Sequence, residues 1–241
     1  MTIKHPLNES KDIKIFEAPI KGASYFGIVD VAEGVEGDSS VLIILKMPRN
    51  LKEDPYEVVF TFRSNDINIF QFQELIFEFA SKYNEAYLLV EVNIHDIASS
   101  LYRDYEYDSL IKTSRVKQRI TTTFFNKEKK FGVKTTEPIK KLGLEMLITQ
   151  LEDNKIIIND LEIVKEFSTL VKSKKSFEAK RGAHDDMAMC MVLFGWALTQ
   201  EGFKEIYDME DFKNKIQNEY LDSAREELCS FFIEDGINQN F

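Results

Sequence analysis

The sequence predicts an α/β domain built on a mixed sheet, with an antiparallel meander and flanking helices. Three β-rich runs follow one another at residues 25–34, 39–47 and 57–64 with no helical pattern between them, which is typical of a meander. From residue 68 onward, helical periodicity alternates with short apolar runs, as expected when helices cover a sheet. The length of 241 residues and the hydrophobic content of 44% are sufficient for one sizeable core.

Turn signals bound the strands of the predicted meander. The first run, YFGIVDVAEG, ends in Asp30 and then breaks into a turn, and the loop before the third run contains Pro48 and Pro55. Residues 1–22 are polar and carry two prolines, so we expect an extended lead-in segment there.

Helices and strands alternate in the rest of the chain. Residues 68–86 carry apolar side chains at helical spacing, and residues 86–93 form an almost continuous apolar run, typical of a strand buried on both faces. The patterns predict further helices at 95–105, 137–154, 161–171 and 185–200, strands at 109–116 and 155–160, a basic loop or hairpin at 120–141, a basic connection at 171–183 and a helical acidic tail at 204–235.

The overall charge restricts the partners that the sequence predicts. A formal net charge of −10 gives no general attraction to nucleic acid, so a polyanion would need a local basic patch. The amino terminus has no apolar core like that of a signal peptide, and no stretch reaches the roughly 18 apolar residues of a membrane span. We therefore expect no membrane partner and no secretion.

Four acidic residues have unusual settings. Asp30 ends the first predicted strand, Glu91 interrupts the apolar run LLVEVN, and Asp185 and Asp186 begin the apolar helix. A charge within LLVEV is costly unless it is paired or coordinates a cation. If the first and fourth strands are neighbours, Asp30 and Glu91 can project from one face, and a helix packed there brings Asp186 toward both.

Such a cluster of carboxylates predicts a divalent metal site. The acids would repel one another and raise one another's pKa unless a cation neutralised them. Ligation by oxygen alone favours Mg²⁺ or Mn²⁺ over zinc. Two such ions about 3.5 to 4 Å apart can activate water and stabilise the leaving oxygen of a phosphodiester.

Each acid also has a structural interpretation. Asp185 or Asp186 could simply cap the helix that follows, and Glu33 and Asp38 could be solvated loop residues. Glu91 is the hardest to explain in this way, because neither caps nor turns account for an acid within a strand.

Several segments together resemble a known family. YFGIVDVAEGVEGD, YLLVEVN and GAHDDMAMCMVLFGWALTQ, in this order and at these separations, resemble the nuclease domain of the large terminase subunit of tailed bacteriophages, closest to the T-even type. GVKTT at 132–136, followed by a lysine-containing helix, is similar to that family as well. The resemblance implies a ribonuclease H-like fold for residues 23–203, with the acidic helical extension 204–241 outside it.

The resemblance also implies an activity and a set of site residues. The implied activity is a metal-dependent endonuclease that cuts concatemeric viral double-stranded DNA during packaging into a prohead. Asp30, Glu91 and Asp186 match its catalytic metal ligands, with Asp185 as a helper. Glu33 and Asp38 match a secondary acidic loop, in the arrangement EGxxxD.

Local basic clusters provide candidate DNA contacts despite the acidic total. An ordinary solvated surface is the alternative for any single lysine. The candidates are Lys127, Lys129, Lys130 and Lys134 in the threonine-rich loop, Lys140 and Lys141 in the helix after it, and Lys172, Lys174, Lys175, Lys180 and Arg181 ahead of the HDD triplet.

The chain also departs from the full-length family pattern. It contains no G-x-x-x-x-G-K-[ST] loop, so we expect an excised nuclease domain without its ATPase motor domain. The resemblance implies the portal and the small terminase subunit as partners, in the cytoplasm of the infected bacterial host. A Holliday-junction resolvase, an RNA/DNA hybrid nuclease and a non-catalytic portal-docking domain stay open as alternatives.

Overall fold

The computed structural model describes residues 4–32, 38–51, 53–92, 96–114, 119–120, 129–172, 177–180 and 183–210, together with residues 212, 215, 216 and 223. The chain forms two compact units, residues 1–204 and 205–241. In the second unit, residues 205–210 are helical. None of the helices in the described parts combines the length and apolarity needed to cross a bilayer.

The first unit alternates strands and helices much as the sequence predicts. In chain order its described elements are β1 (Asn8–Glu9), β2 (Ile13–Ile15), β3 (Tyr25–Asp30), β4 (Ser40–Lys46), β5 (Tyr56–Ser64), α1 (Ile69–Lys82), β6 (Tyr87–Val90), α2 (Ile97–Asp104), β7 (Lys112–Ser114), β8 (Lys129–Phe131), α3 (Glu137–Glu152), β9 (Ile156–Ile157), α4 (Leu161–Thr169), β10 (Leu170–Lys172), β11 (Phe177–Ala179) and α5 (Asp186–Leu198).

The predicted meander forms the centre of a mixed sheet. β3, β4 and β5 pair antiparallel in sequence order, and β6 pairs parallel with the free edge of β3. A parallel neighbour needs a long crossover, which α1 provides here. The register places Val29 opposite Val90, so Asp30 and Glu91 follow directly at the same end of the two strands.

Four strand pairings were not predicted. The lead-in segment forms β1 and β2, and β2 adds to the outer edge of β5. β9 pairs parallel with the start of β5, and the basic connection contains the antiparallel hairpin β10–β11. β1, β2, β10 and β11 are only two or three residues long, so they carry too little periodicity to be detected in the sequence. β9 lies within the strand predicted at 155–160, and only its pairing with β5 was not predicted.

A buried polar network anchors the loop after β9 to the sheet. The side chain of Asp160 accepts hydrogen bonds from Thr61 Oγ1 at 2.7 Å, Lys14 Nζ at 2.8 Å and the Glu162 backbone N–H at 3.0 Å. Asn159 Nδ2 donates to Glu57 Oε1 at 3.0 Å and to the Val58 carbonyl at 2.9 Å. This network holds the start of α4 against β5.

The helices cover both faces of the sheet. Tyr25 packs edge-to-face on Tyr83 beyond the end of α1, whereas its neighbour Phe26 packs on Phe194 in α5, so α1 and α5 lie on opposite faces. Residues 187–197 of α5 are all buried, and this helix contacts α3, α4, β3 and β4. Burial on all sides explains why α5 is apolar around its whole circumference.

Candidate active site

Side-chain alternation places Asp30 and Glu91 on the sheet face covered by α5. Phe26 of β3 contacts α5, and successive side chains of a strand point to opposite faces, so Asp30 shares the face of Phe26. Leu88 and Val90 of β6 belong to the core cluster that includes α1 residues, so Glu91 points to the opposite, α5-covered face. The two acids therefore lie side by side, as the sequence predicts.

The position of Glu91 within its strand differs from the prediction. β6 ends at Val90, and Glu91 forms only a single parallel bridge to Val133, while its N–H donates to the Val29 carbonyl at 2.8 Å. Glu91 is half-buried rather than enclosed in the sheet interior. The end of β6 could not be predicted from the apolar run, because Val92 continues the hydrophobic pattern beyond it.

A cavity of about 310 Å³ opens at this end of the sheet. Five carboxylates line it, together with two lysines and several small or apolar residues. The lining residues are Asp30, Val31, Ala32, Asp38, Ser39, Glu91, Val92, Lys134, Thr135, Lys140, Asp185, Asp186 and Met189.

Asp30 and Glu91 form the centre of the acidic cluster. Burial raises the pKa of Asp30 well above its ordinary value of 3.8, and the nearby charge of Glu91 and a side-chain hydrogen bond between the two acids raise it further. The two carboxyl groups thus lie close enough to interact directly at this end of the sheet.

Asp186 extends the cluster from the first turn of α5. Burial raises its pKa, while a hydrogen bond from Ser39 and the positive charge of Arg63 oppose that effect. Arg63 Nη2 lies 3.7 Å from Asp186 Oδ2. Asp185 precedes the helix and makes no side-chain capping hydrogen bond, so the capping interpretation does not hold for Asp185.

The donor set fits a hard divalent cation, but the described residues do not preform a complete ligand set. Asp30, Glu91 and Asp186 offer only oxygen ligands, which suits Mg²⁺ or Mn²⁺. Among the parts of the chain that the structure describes, no three His, Cys, Asp or Glu side chains are grouped as if around a metal ion. The three acids share one cavity, and their convergence on a common ion stays a prediction.

The cavity also contains positive charge opposite the acids. Lys134 follows β8 and Lys140 lies in the first turns of α3, and both line the cavity. Thr135 Oγ1 is buried without a hydrogen-bond partner among the described residues. These groups can donate to an anion that enters beside the carboxylates.

The structure does not gather all of the predicted residues. Asp38 lines the cavity and is exposed, whereas Lys130 in β8 and Lys180 after β11 lie outside its lining. Glu33, Lys127, Lys174, Lys175 and Arg181, and the side chains of Lys129 and Lys172, lie outside the described residues.

The sequence analysis did not single out three residues in and behind the site. Ser39 lines the cavity, Arg63 lies in the third meander strand, and Glu166 occupies a buried position of α4. Arg63 bridges the other two, with Nε donating to Ser39 Oγ at 3.1 Å and Nη1 at 3.1 Å from Glu166 Oε1. Helical spacing could have identified Glu166, because it lies one turn after the buried Ile163 on the same side of α4.

Solved structures share the architecture described above. No protein-family model matches the chain. The large terminase nuclease from thermophilic phage G20c with bound magnesium superimposes with a TM-score of 0.58 at 17% identity, covering 80% of this chain and 91% of that one. The Thermus phage P74-26 large terminase nuclease domain gives a TM-score of 0.56 at 17% identity, covering 79% of this chain and 88% of that one. The first unit thus has the ribonuclease H-like mixed α/β fold of these nuclease domains.

Proposed function

We propose that this chain is a metal-dependent endonuclease that cuts concatemeric viral double-stranded DNA during packaging into a prohead. The observation that carries the proposal is that Asp30, Glu91 and Asp186 line one cavity at the end of two parallel strands. The same fold in solved terminase nucleases supports it.

A divalent cation accounts for acids that otherwise destabilise this part of the core. Two neighbouring carboxylates in a half-buried position must share a proton or bind a cation. Mg²⁺ is commonly held by one or two carboxylates, with water and substrate phosphate completing its shell, so Asp30 and Glu91 can bind it without a full protein cage. G20c nuclease structures have been solved with magnesium, cobalt and zinc bound, and Mg²⁺ or Mn²⁺ is our proposal for this chain.

The residues around the cavity divide into two groups by charge. Asp30 and Glu91 hold the metal from the sheet, Asp186 approaches from α5, and Asp185 assists beside it. When bound, the metal supplies a hydroxide nucleophile near neutral pH and neutralises charge that develops on the phosphate. Lys134 and Lys140 bind the DNA phosphates next to the cut and hold the backbone over the acids.

The biological setting follows from the same proposal. An ATPase motor domain on another chain or segment would deliver the DNA, and the portal and the small terminase subunit are the proposed partners. The basic residues outside the cavity, including Lys130 and Lys180, contribute phosphate contacts along the duplex. The site of action is the cytoplasm of the infected bacterium.

Plasmid nicking tests the proposal directly. The chain is incubated with supercoiled DNA in Mg²⁺, in Mn²⁺ and in EDTA, and Asp30→Asn is compared with Asp66→Asn, a control whose exposed carboxylate pairs with Lys11. We expect metal-dependent nicking by the parent and by Asp66→Asn, and its loss in Asp30→Asn with an unchanged circular dichroism spectrum. A four-way junction and an RNA/DNA hybrid are tested in the same assay. Preferential cutting of either one would show that duplex DNA is not the preferred substrate.

A portal-docking domain without catalysis is the second candidate. The observation behind it is that, in the described parts of the chain, no three His, Cys, Asp or Glu side chains are grouped as if around a metal ion. A parent chain that neither nicks DNA nor binds Mn²⁺, measured by the loss of the free Mn²⁺ electron paramagnetic resonance signal, would favour docking over the nuclease.

A further inference from the structure

Arg63 joins three parts of the molecule at the back of the acidic cavity. It lies near the end of β5, and its guanidinium reaches Ser39 ahead of β4, Glu166 in α4 and Asp186 at the start of α5. Its side chain is only 26% exposed, and that of Glu166 is 7% exposed. Arg63 donates a hydrogen bond to Ser39, whereas it meets Glu166 and Asp186 as ion pairs, because neither Glu166 Oε1 nor Asp186 Oδ2 has a hydrogen-bond partner among the described residues. The broad, planar guanidinium can face all three groups at once, which the compact ammonium of lysine cannot do in the same way.

Glu166 connects this arginine to the backbone of α5. Its Oε2 accepts a hydrogen bond from the Ala188 N–H at 2.9 Å, and the Met187 backbone also contributes. These N–H groups belong to the first turn of α5, where the helix itself provides no acceptor. A side chain 22 residues away therefore takes the place of the side-chain cap that Asp185 does not supply.

The arrangement constrains Asp186 from two sides. Its backbone belongs to the helix turn bound by Glu166, and its Oδ2 is buried against Arg63 without a hydrogen-bond partner among the described residues. Ser39, which bonds to Asp186, is itself held by Arg63. The position of α5 and the orientation of the Asp186 carboxylate thus both depend on the guanidinium of Arg63.

We propose that Arg63, anchored by Glu166, is a positioning residue that sets the orientation of the Asp186 carboxylate toward a metal ion held by Asp30 and Glu91. This inference rests on the proposed nuclease function and adds a group that itself contacts neither metal nor DNA. Partners behind metal ligands typically change metal affinity or activity about 10- to 100-fold when they are removed.

Three variants separate positioning from a general loss of stability. Arg63→Lys keeps the charge and loses the planar guanidinium. Arg63→Met combined with Glu166→Gln removes both charges and retains an oxygen for the Ala188 N–H. Lys46→Met is the control, because the Lys46–Glu57 pair of the same sheet has nearly the same side-chain exposure, 23% and 8%, and does not line the cavity.

Two measurements are made on the whole chain. Mn²⁺ affinity is measured by electron paramagnetic resonance without DNA, and the nicking rate is measured against Mn²⁺ concentration. We expect both Arg63 variants to bind Mn²⁺ about tenfold more weakly and to need correspondingly more Mn²⁺ for half-maximal nicking. Lys46→Met should keep the parental half-saturation, since a purely structural defect lowers the active fraction and leaves the metal dependence unchanged.

The outcomes distinguish the inference from the function on which it rests. Parental Mn²⁺ affinity and metal dependence in a folded Arg63→Lys variant would overturn the positioning role, and so would shifts no larger than those of Lys46→Met. Arg63→Lys also decides the matter if the double variant does not fold. If the parent chain itself neither binds Mn²⁺ nor nicks DNA, the proposed function fails and the positioning role fails with it.

Discussion

The crossing of α3 and α5 offers a sharp test of how packing determines the site. Gly143 and Gly195 face each other there. A Cβ added at Gly195 would lie 2.2 Å from the Gly143 carbonyl oxygen, and one added at Gly143 would lie 2.1 Å from the Val192 carbonyl oxygen. Gly195→Ala therefore forces apart two helices, one of which carries Asp186.

The structure provides an estimate of the cost. Because a Cβ contact below 3.0 Å is essentially never observed, a contact at 2.2 Å requires the helices to separate by about 0.8 Å. Overpacking of this kind costs about 1–3 kcal/mol, whereas replacing glycine by alanine within a helix gains about 1 kcal/mol. We expect a net loss of up to about 2 kcal/mol, or up to about 8 °C in Tm for a domain of this size.

The assay combines thermal unfolding with plasmid nicking. Gly195→Ala should lower Tm and reduce nicking further than the folded fraction explains, because displacements of about 1 Å can cost about 100-fold in rate. Gly143→Ala should act similarly, and the double variant should cost less than the sum, since either alanine alone separates the helices. Glu145→Ala, on the exposed side of α3, is the control and should stay within about 0.5 kcal/mol. A rise in Tm for Gly195→Ala would refute the close crossing.

Three further predictions concern the acids and the basic wall of the cavity. Because folding raises the pKa of Asp30, the parent protein in EDTA should lose stability as the pH rises from 3.8, the ordinary pKa of the group, through the raised pKa. Asp30→Asn should lack this loss and should have the higher Tm at pH 7. Asp160→Ala should cost about 3 kcal/mol in urea unfolding, because it leaves Lys14 and the Thr61 hydroxyl without their acceptor; a cost below about 1 kcal/mol would contradict the buried network. Lys140→Gln should weaken duplex binding and reduce the slope of log K against log salt by about one, and an unchanged slope would exclude a phosphate contact.

Local periodicity was sufficient to predict most elements of the first unit. The meander, α1, β6, α3, α4 and α5 all occur within a few residues of their predicted bounds, because alternation and helical spacing reflect which faces are buried. Asp96 caps α2, accepting a hydrogen bond from the Ser99 N–H at 3.2 Å. Strand order allowed Asp30 and Glu91 to be neighbours if the first and fourth strands were adjacent, and the parallel pairing of β3 with β6 fulfils that condition.

The sequence by itself determined most of the strands and helices, the acidic composition of the site and the two strands at whose ends Asp30 and Glu91 lie. The tertiary structure alone decided that β6 ends before Glu91, that Glu166 rather than Asp185 bonds the first turn of α5, and that Arg63 reaches Asp186. The physical reason is the range of the interactions. Periodicity is set by neighbours within a few positions, whereas Arg63 and Asp186 are far apart in the chain and meet only because the sheet and two helices pack around them.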